Sequence, residues 1–152
     1  MNDEAQELVD AVVRRFGKAA FAVEPSAGDP QADPGSVALV FLHPTRAGHR
    51  VDVIQRANTF EVAYSDGLPP GPAERLFVFG GSGQRREAVE ALVAFLEGLF
   101  AGRVVVYRER LNAVAKLLRR RDCDDLLWFA APEEITPRKR RGITALYDWS
   151  TE

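Results

Sequence analysis

Three kinds of feature are scarce or missing in this chain, and each absence excludes a class of protein. No apolar run approaches the roughly 20 residues that a membrane-spanning helix needs, so we expect no membrane association. The N-terminus Met1-Asn2-Asp3-Glu4 is acidic where a secretory signal is basic. The single cysteine, Cys123, cannot form an internal disulfide. These absences predict a cytoplasmic protein in a reducing compartment.

The chain does contain enough apolar material for one core. Its 152 residues are 46% hydrophobic, which suits a single domain spanning residues 1–152. Residues 1–102 carry 9 basic and 14 acidic side chains and residues 103–152 carry 11 and 8, so the two parts have net charges of −5 and +3. This asymmetry permits an electrostatic partner. Arginine outnumbers lysine 17 to 3, which indicates a GC-rich, bacterial genome.

Residues 36 to 66 alternate apolar and polar side chains in three short segments joined by two tight turns. This period of two is typical of β-strands covered on one face. If His43 opposes His49 and a second turn lies on Ala57-Asn58, both hairpins direct the same side chains to one face. The predicted buried face comprises Val37, Leu39, Phe41, Val51, Val53, Phe60, Val62 and Tyr64. The predicted solvent face comprises Arg50, Asp52, Arg56, Glu61 and Ser65.

Other elements follow from periodicity and from breaking residues. Helical spacing predicts a helix over residues 3–16 and a central helix over 84–100, with an edge strand at 21–24 and an irregular loop at 25–35. The expected N-caps are Asp3, in a capping box with Gln6, and Ser82. Residues 76–79 are apolar on both faces and therefore predict a strand inside the sheet.

The C-terminal third is expected to be mainly helical. After a strand at 103–107, a helix is predicted over 111–121, and a further helix is predicted to begin near Asp122 and to end before Pro132. Residues 133–152 are expected to be irregular, with one aromatic segment folded against the body. The inward side of the 111–121 helix is expected to carry Leu111, Val114, Ala115 and Leu118. The resulting fold class is α+β, with a two-layer meander sheet of four to six strands under a central helix and with N- and C-terminal helices.

One predicted cluster has ligand chemistry. The register brings His43 and His49 together at one end of the sheet and places Asp66 beside His49. Imidazole nitrogens and a carboxylate suit iron, zinc or manganese, so a metal-dependent enzyme is one interpretation. Polar residues also gather at strand ends for structural reasons. We identify no catalytic residue and predict no cofactor.

Two further motifs are weaker signals. Residues 79–84 follow the strand, glycine loop and helix order of phosphate-binding loops but lack the lysine followed by Ser or Thr. A tight connection explains these glycines equally well. Cys123 lies between two aspartates, which raise a thiol pKa and oppose nucleophilic chemistry.

Binding is therefore the leading functional interpretation, with a protein as the expected partner. The basic run 138–141 could contact an acidic protein, whereas nucleic acid is disfavoured because no aromatic residues are interleaved. Trp149 suits a core or an interface equally, and Trp128 is expected in the core. The candidate partner-binding residues are Arg50, Asp52, Arg56, Glu61, Arg140, Arg141 and Trp149.

The overall design resembles the immunity proteins of bacterial polymorphic-toxin systems. The resemblance rests on small size, uneven charge, the tryptophans Trp128 and Trp149, and the turn-rich stretch 58–67. It implies a cytoplasmic protein that neutralises a cognate toxin by binding to it. Small secretion chaperones are similar in the same general way, and their resemblance implies that the partner is a secreted effector.

Overall fold

Two antiparallel β-sheets carry the fold, and the computed structural model describes residues 1–26, 34–69, 71–119 and 125–151. Within these residues the first sheet consists, in spatial order, of β1 (Ala22–Pro25), β2 (Val37–Leu42), β3 (Arg50–Arg56), β4 (Thr59–Ser65) and β5 (Ala73–Val78). The second sheet places β6 (Val105–Arg110) between β7 (Asp125–Ala130) and β8 (Ile143–Tyr147). The helices are α1 (Asp3–Phe16), α2 (Ser82–Phe100), α3 (Ala113–Arg119) and α4 (Pro137–Arg140), and 3-10 turns lie at Lys18–Ala20 and Pro132–Glu134. The predicted α+β class is confirmed.

The register of the meander is the predicted one. Leu39 pairs with Val53 across β2 and β3, and Val53 pairs with Val62 across β3 and β4. The backbone N–H of His43 donates to the carbonyl of His49 at 3.0 Å. Asn58 adopts a positive φ of 56° in the second turn, a conformation that asparagine tolerates better than most residues. All eight side chains of the predicted inner face are buried.

Both long helices cover this inner face. Leu8 and Val12 of α1 and Leu92 and Leu96 of α2 belong to the same buried cluster as the inner residues of β2, β3 and β4. Phe16 at the end of α1 meets Phe41 edge-on, with ring centroids 6.0 Å apart. The sheet therefore has its core on one side.

The helix boundaries are close to the predicted ones, but the caps differ. Asn2, and not Asp3, caps α1 by accepting a hydrogen bond from the backbone N–H of Ala5 at 2.8 Å. Gly81 occupies the N-cap position of α2, so Ser82 is already helical. At the start of α2, the side chain of Gln84 reaches back and accepts from Gly80 N–H.

The prediction of residues 76–79 as an interior strand is wrong. These residues belong mainly to β5, which lies at the edge of the five-stranded sheet. Leu76 and Val78 point away from the helices and are 56% and 72% exposed. A strand with apolar side chains on both faces is therefore not necessarily covered on both faces. Its burial depends on which strands and helices lie beside it.

The C-terminal third differs most from expectation. The segment expected to be a helix up to Pro132 contains strand β7, in which Trp128 pairs with Tyr107 and Phe129 with Val106. Residues 133–152 are not irregular, since they contain α4 and β8. An apolar run of five or six residues suits a strand or a helix equally, and pairing with β6 decides for the strand.

Helix α3 directs to solvent the side that was predicted to face inward. Leu111, just before it, is buried as predicted, but Val114 and Leu118 are exposed. The side chain of Ala115 lies outside those that the structure describes.

Cys123 and Asp122 lie outside the described residues, as do residues 27–33 of the predicted loop. In the part of the chain that the structure describes, no helix is long and apolar enough to cross a membrane.

A buried ion pair joins the two sheets. Arg108 in the middle of β6 donates through Nη2 to Oδ2 of Asp66 at 2.6 Å, and through Nη1 to the carbonyl of Pro69 at 3.1 Å. The side chains are 8% and 1% exposed. The hydroxyl of Tyr147, from β8, donates to the same carboxylate oxygen at 3.0 Å. Asp66, directly after β4, therefore fixes two strands of the second sheet to the first.

Replacing one partner of this pair should be strongly destabilising. We expect Asp66→Ala to lower the free energy of unfolding by about 3 kcal/mol, because the buried charge of Arg108 would lose its hydrogen-bonded carboxylate and keep only Asp125, whose Oδ2 lies 3.7 Å from Nη1. Urea denaturation measures this change. Arg86→Ala is the control, since Arg86 pairs with Glu90 on the surface of α2 and should change stability by less than about 0.5 kcal/mol. Equal losses of unfolding free energy in the two variants would contradict the conclusion that the pair of Asp66 and Arg108 fixes the two sheets together.

Candidate protein interface

The face of the five-stranded sheet opposite α1 and α2 is the candidate interface, and we refer to it as the open sheet face. It carries the alternate side chains of each strand, which the register aligns in rows across the sheet. One row runs from Ala38 through Ile54 and Glu61 to Leu76. Another runs from Val40 through Asp52 and Ala63 to Glu74. The face is thus a mixture of aliphatic and charged side chains.

Its outer margins are the most apolar part. Leu42 at the end of β2 is exposed, as are Leu76 and Val78 on the edge strand β5. An edge strand that presents aliphatic side chains to solvent favours association with another chain. Beside β5 lies a depression of about 530 Å³, lined by Arg56, Ala57, Thr59, Glu61, Glu74 and Leu76.

Two ion pairs occupy the middle of the face. Arg50 binds the carboxylate of Asp52 through Nε and Nη2, at distances of 2.7 to 3.0 Å. This hydrogen bonding raises the pKa of Arg50 above its ordinary value. Arg56 donates through Nε to Oε2 of Glu61 at 3.1 Å. The four charged residues predicted to face solvent are therefore two neutralised pairs. Glu61 lies on the predicted face but is buried, with an exposed fraction of 8%.

The face as a whole is acidic. Its ionisable side chains are Glu24, Arg50, Asp52, Arg56, Glu61 and Glu74, which give four negative and two positive charges, a net charge of −2. Such an excess attracts a basic partner over roughly a Debye length.

The predicted metal ligands do meet at one end of the sheet, with the rings of His43 and His49 6.4 Å apart. Both ring nitrogens of His43 are occupied, however. Nδ1 accepts from the backbone N–H groups of Thr45 and Arg46, so it carries no proton, and Nε2 donates to the carbonyl of Trp149 at 3.1 Å. His43 thus holds the C-terminal segment against the turn that follows β2.

The carboxylate of Asp66 is also occupied by hydrogen bonds within the chain. Burial alone would raise its pKa, but hydrogen bonds from Arg108, from the backbone of Leu68 and from Tyr147 outweigh burial and hold the pKa below its ordinary value. Within the described residues, no three His, Cys, Asp or Glu side chains are grouped so that they could hold a metal ion. In this structure, hydrogen bonds within the chain therefore occupy two of the three predicted ligands, His43 and Asp66.

His49 remains half-buried beside this junction. Its Nδ1 lies 2.7 Å from the hydroxyl of Tyr64, and its ring meets that of Tyr147 edge-on. Burial lowers the pKa of His49, and the positive charge of Arg46 and the ring of His43 lower it further against the opposing effect of Asp66. Burial raises the pKa of Tyr64 to about 12. Both groups are therefore neutral near pH 7.

The other predicted binding residues lie elsewhere. Trp149 is half-buried and contacts His43 and Phe100, with ring centroids 4.7 Å and 5.2 Å away. Trp128 packs beside a small second cluster on the outer side of the three-stranded sheet. Arg140 and Arg141, at the end of α4, are exposed. They do not join Arg50, Asp52, Arg56 and Glu61 in one surface.

Sequence reasoning missed several residues that define these sites. The sequence predicts that Leu76 and Val78 lie on a strand inside the sheet. When β5 pairs with β4, their alternation with Arg75 and Phe77 places them on the same face as Glu61. Arg108 gave no signal at all, because its partner Asp66 is 42 residues away in the sequence.

No protein-family model matches this sequence, and no curated protein or solved structure is similar enough to match it.

The pKa of His49 predicts a pH-dependent stability. Above its ordinary value of about 6.5, His49 is neutral in both the folded and the unfolded chain. As the pH falls below this value, the unfolded chain binds a proton first, so the free energy of unfolding should decrease. Urea titrations at several pH values between about 5 and 8 should show that His49→Gln loses this part of the slope. An unchanged slope in the variant would show that other groups are responsible.

Proposed function

We propose that this chain is a protein-binding module that uses the open sheet face as its contact surface, and that its role is to neutralise a cognate bacterial toxin in the cytoplasm. The observation that supports this proposal is the aliphatic edge of the face, where Leu76 and Val78 are exposed near the ion pair of Arg56 and Glu61. Burying such side chains in a complex is favourable by roughly 25 cal/mol per Å².

The ion pairs favour binding as well. A partner that covers Arg50 and Asp52, or Arg56 and Glu61, removes an existing pair from water and not a lone charge. The desolvation penalty is smaller for a pair that keeps its hydrogen bonds. Because each arginine is already held by a carboxylate, less side-chain entropy is lost on binding. The face is therefore preorganised for a complex.

The size of the face limits what it can do alone. Five strands spaced about 4.8 Å apart and each about 20 Å long give a face of about 24 by 20 Å. This is smaller than the ~800 Å² that each partner usually contributes to a stable interface. We therefore expect the partner to extend over the neighbouring turns at residues 44–48 and 57–58.

The net charge of the face defines the expected partner chemistry. A toxin with a basic surface would be attracted to the four carboxylates, and the association rate should fall as salt is added. This resembles the mode of action implied by the likeness to immunity proteins. A secretion chaperone would use the same face to hold an effector that is not toxic.

Substitutions on β5 test the contact surface. The partner is captured from the native cell with the tagged protein, purified and titrated by calorimetry. We expect Leu76→Gln with Val78→Gln to weaken binding about tenfold or more, since two aliphatic side chains would no longer be buried. The matched control is Leu117→Gln with Leu118→Gln on α3, which removes two exposed aliphatic side chains from another surface. An unchanged Kd in the β5 variant would place the interface elsewhere.

Growth of the host tests the biological role. Expression of the captured partner alone should stop growth, and co-expression of this chain should restore it, whereas the β5 variant should not. A partner that is harmless by itself and becomes more soluble on co-expression would instead identify a secretion chaperone.

A further inference from the structure

Helix α3 presents an apolar side to solvent. Val114, Leu117 and Leu118 are 64%, 79% and 78% exposed. Their spacing of three and four residues places them together on one side of the helix. Exposed apolar groups gathered in this way mark an interaction surface more often than scattered ones do.

The same segment is densely basic. Residues 110–121 include five cations and no carboxylate, so the charge of this stretch is +5. The cations are Arg110, Lys116, Arg119, Arg120 and Arg121. In the sequence, basic and aliphatic residues are thus combined within twelve positions, a composition also found in segments that bind a membrane surface.

Tertiary structure adds the second basic run to the first. The backbone N–H of Arg110 donates to the carbonyl of Gly142 at 2.9 Å, and a cavity of about 300 Å³ lies between the residues that precede α3 and those that follow α4. Arg141 therefore adjoins the residues that precede α3, and the exposed Arg138 and Arg140 of α4 come shortly before it in the chain. We call this surface the basic corner, and it consists of Arg110, Val114, Leu117, Leu118, Arg138, Arg140 and Arg141.

We propose that the basic corner binds the surface of an anionic lipid bilayer. Val114, Leu117 and Leu118 enter the boundary between headgroups and acyl chains, while the arginines bind lipid phosphates and carboxylates. Each cation near an anionic surface adds its own attraction, so no shaped partner site is needed. This departs from the expectation of no membrane association, which rested on the lack of a spanning segment. No such segment is needed, because the helix lies in the plane of the surface.

Other anionic partners fit less well. Nucleic acid offers phosphates but gains nothing from three aliphatic side chains, and no aromatic side chain lies among them for base stacking. A protein groove usually takes anchors from two or more helical turns, whereas the seven residues of α3 span only about 10 Å. The bilayer uses both the charge and the aliphatic side chains. None of these residues belongs to the open sheet face, so this proposal is independent of the proposed function.

Vesicle sedimentation tests the proposal with the full chain. Vesicles of phosphatidylcholine with about 30% phosphatidylserine should bind the protein at about 100 mM salt, and pure phosphatidylcholine vesicles should not. Arg140→Gln with Arg141→Gln should weaken binding about thirtyfold, which corresponds to about 1 kcal/mol for each cation. Leu117→Gln with Leu118→Gln should weaken it about tenfold or more, because the aliphatic contribution is lost.

Matched variants remove the same groups from other surfaces. Leu76→Gln with Val78→Gln controls for the loss of two exposed aliphatic side chains, and Arg14→Gln with Arg103→Gln controls for the loss of two exposed cations. Both should bind anionic vesicles as the unaltered chain does. Equal weakening by the controls, equal binding to neutral vesicles, or no binding to anionic ones would overturn the proposal. Binding to poly-glutamate that depends on Leu117 and Leu118 would also overturn it and would identify an acidic peptide as the partner.

Discussion

The arrangement of this molecule depends on the buried pair of Asp66 and Arg108. Two opposite charges removed from water must remain together, because either one alone in the interior would be costly. The pair lies where β4 ends and where the middle strand of the second sheet passes, and the hydroxyl of Tyr147 completes the contact. We interpret it less as a source of net stability than as the constraint that selects one placement of the second sheet against the first. The histidines of the turn then fasten the C-terminal segment to the same end.

This placement has a consequence for the free surfaces. Since both long helices and the aromatic residues of the second sheet cover the inner side of the meander, the opposite side is left as the open sheet face. A face of this kind must be compatible with water and still be able to bind. The pairs of Arg50 with Asp52 and of Arg56 with Glu61 meet both needs, because their charges are already neutralised before a partner covers them.

The meander was predictable because hairpin pairing is local. Leu39, Val53 and Val62 follow a period of two. A shift of the strand pairing by one residue would turn each of these side chains from the inner to the outer face. The two turns and the burial of the inner face are therefore compatible with a single register. The sequence also placed Arg50 and Glu61 on the outer face through the same parity. The segment around Trp128 was not predictable in this way. Its apolar run suits a helix or a strand, and only pairing with a strand about twenty residues earlier decides between them.

By itself, then, the sequence determined the α+β class, the meander with its inner and outer faces, and the two long helices, because each of these depends on periodicity and turns within a few residues. Only the tertiary structure decided that Asp66 is paired with Arg108, that β5 is an edge, and that Leu117 and Leu118 face solvent. The physical reason is that burial is a property of the neighbours a residue acquires and not of the residue itself. Where those neighbours are distant in the chain, the local pattern carries no information about them.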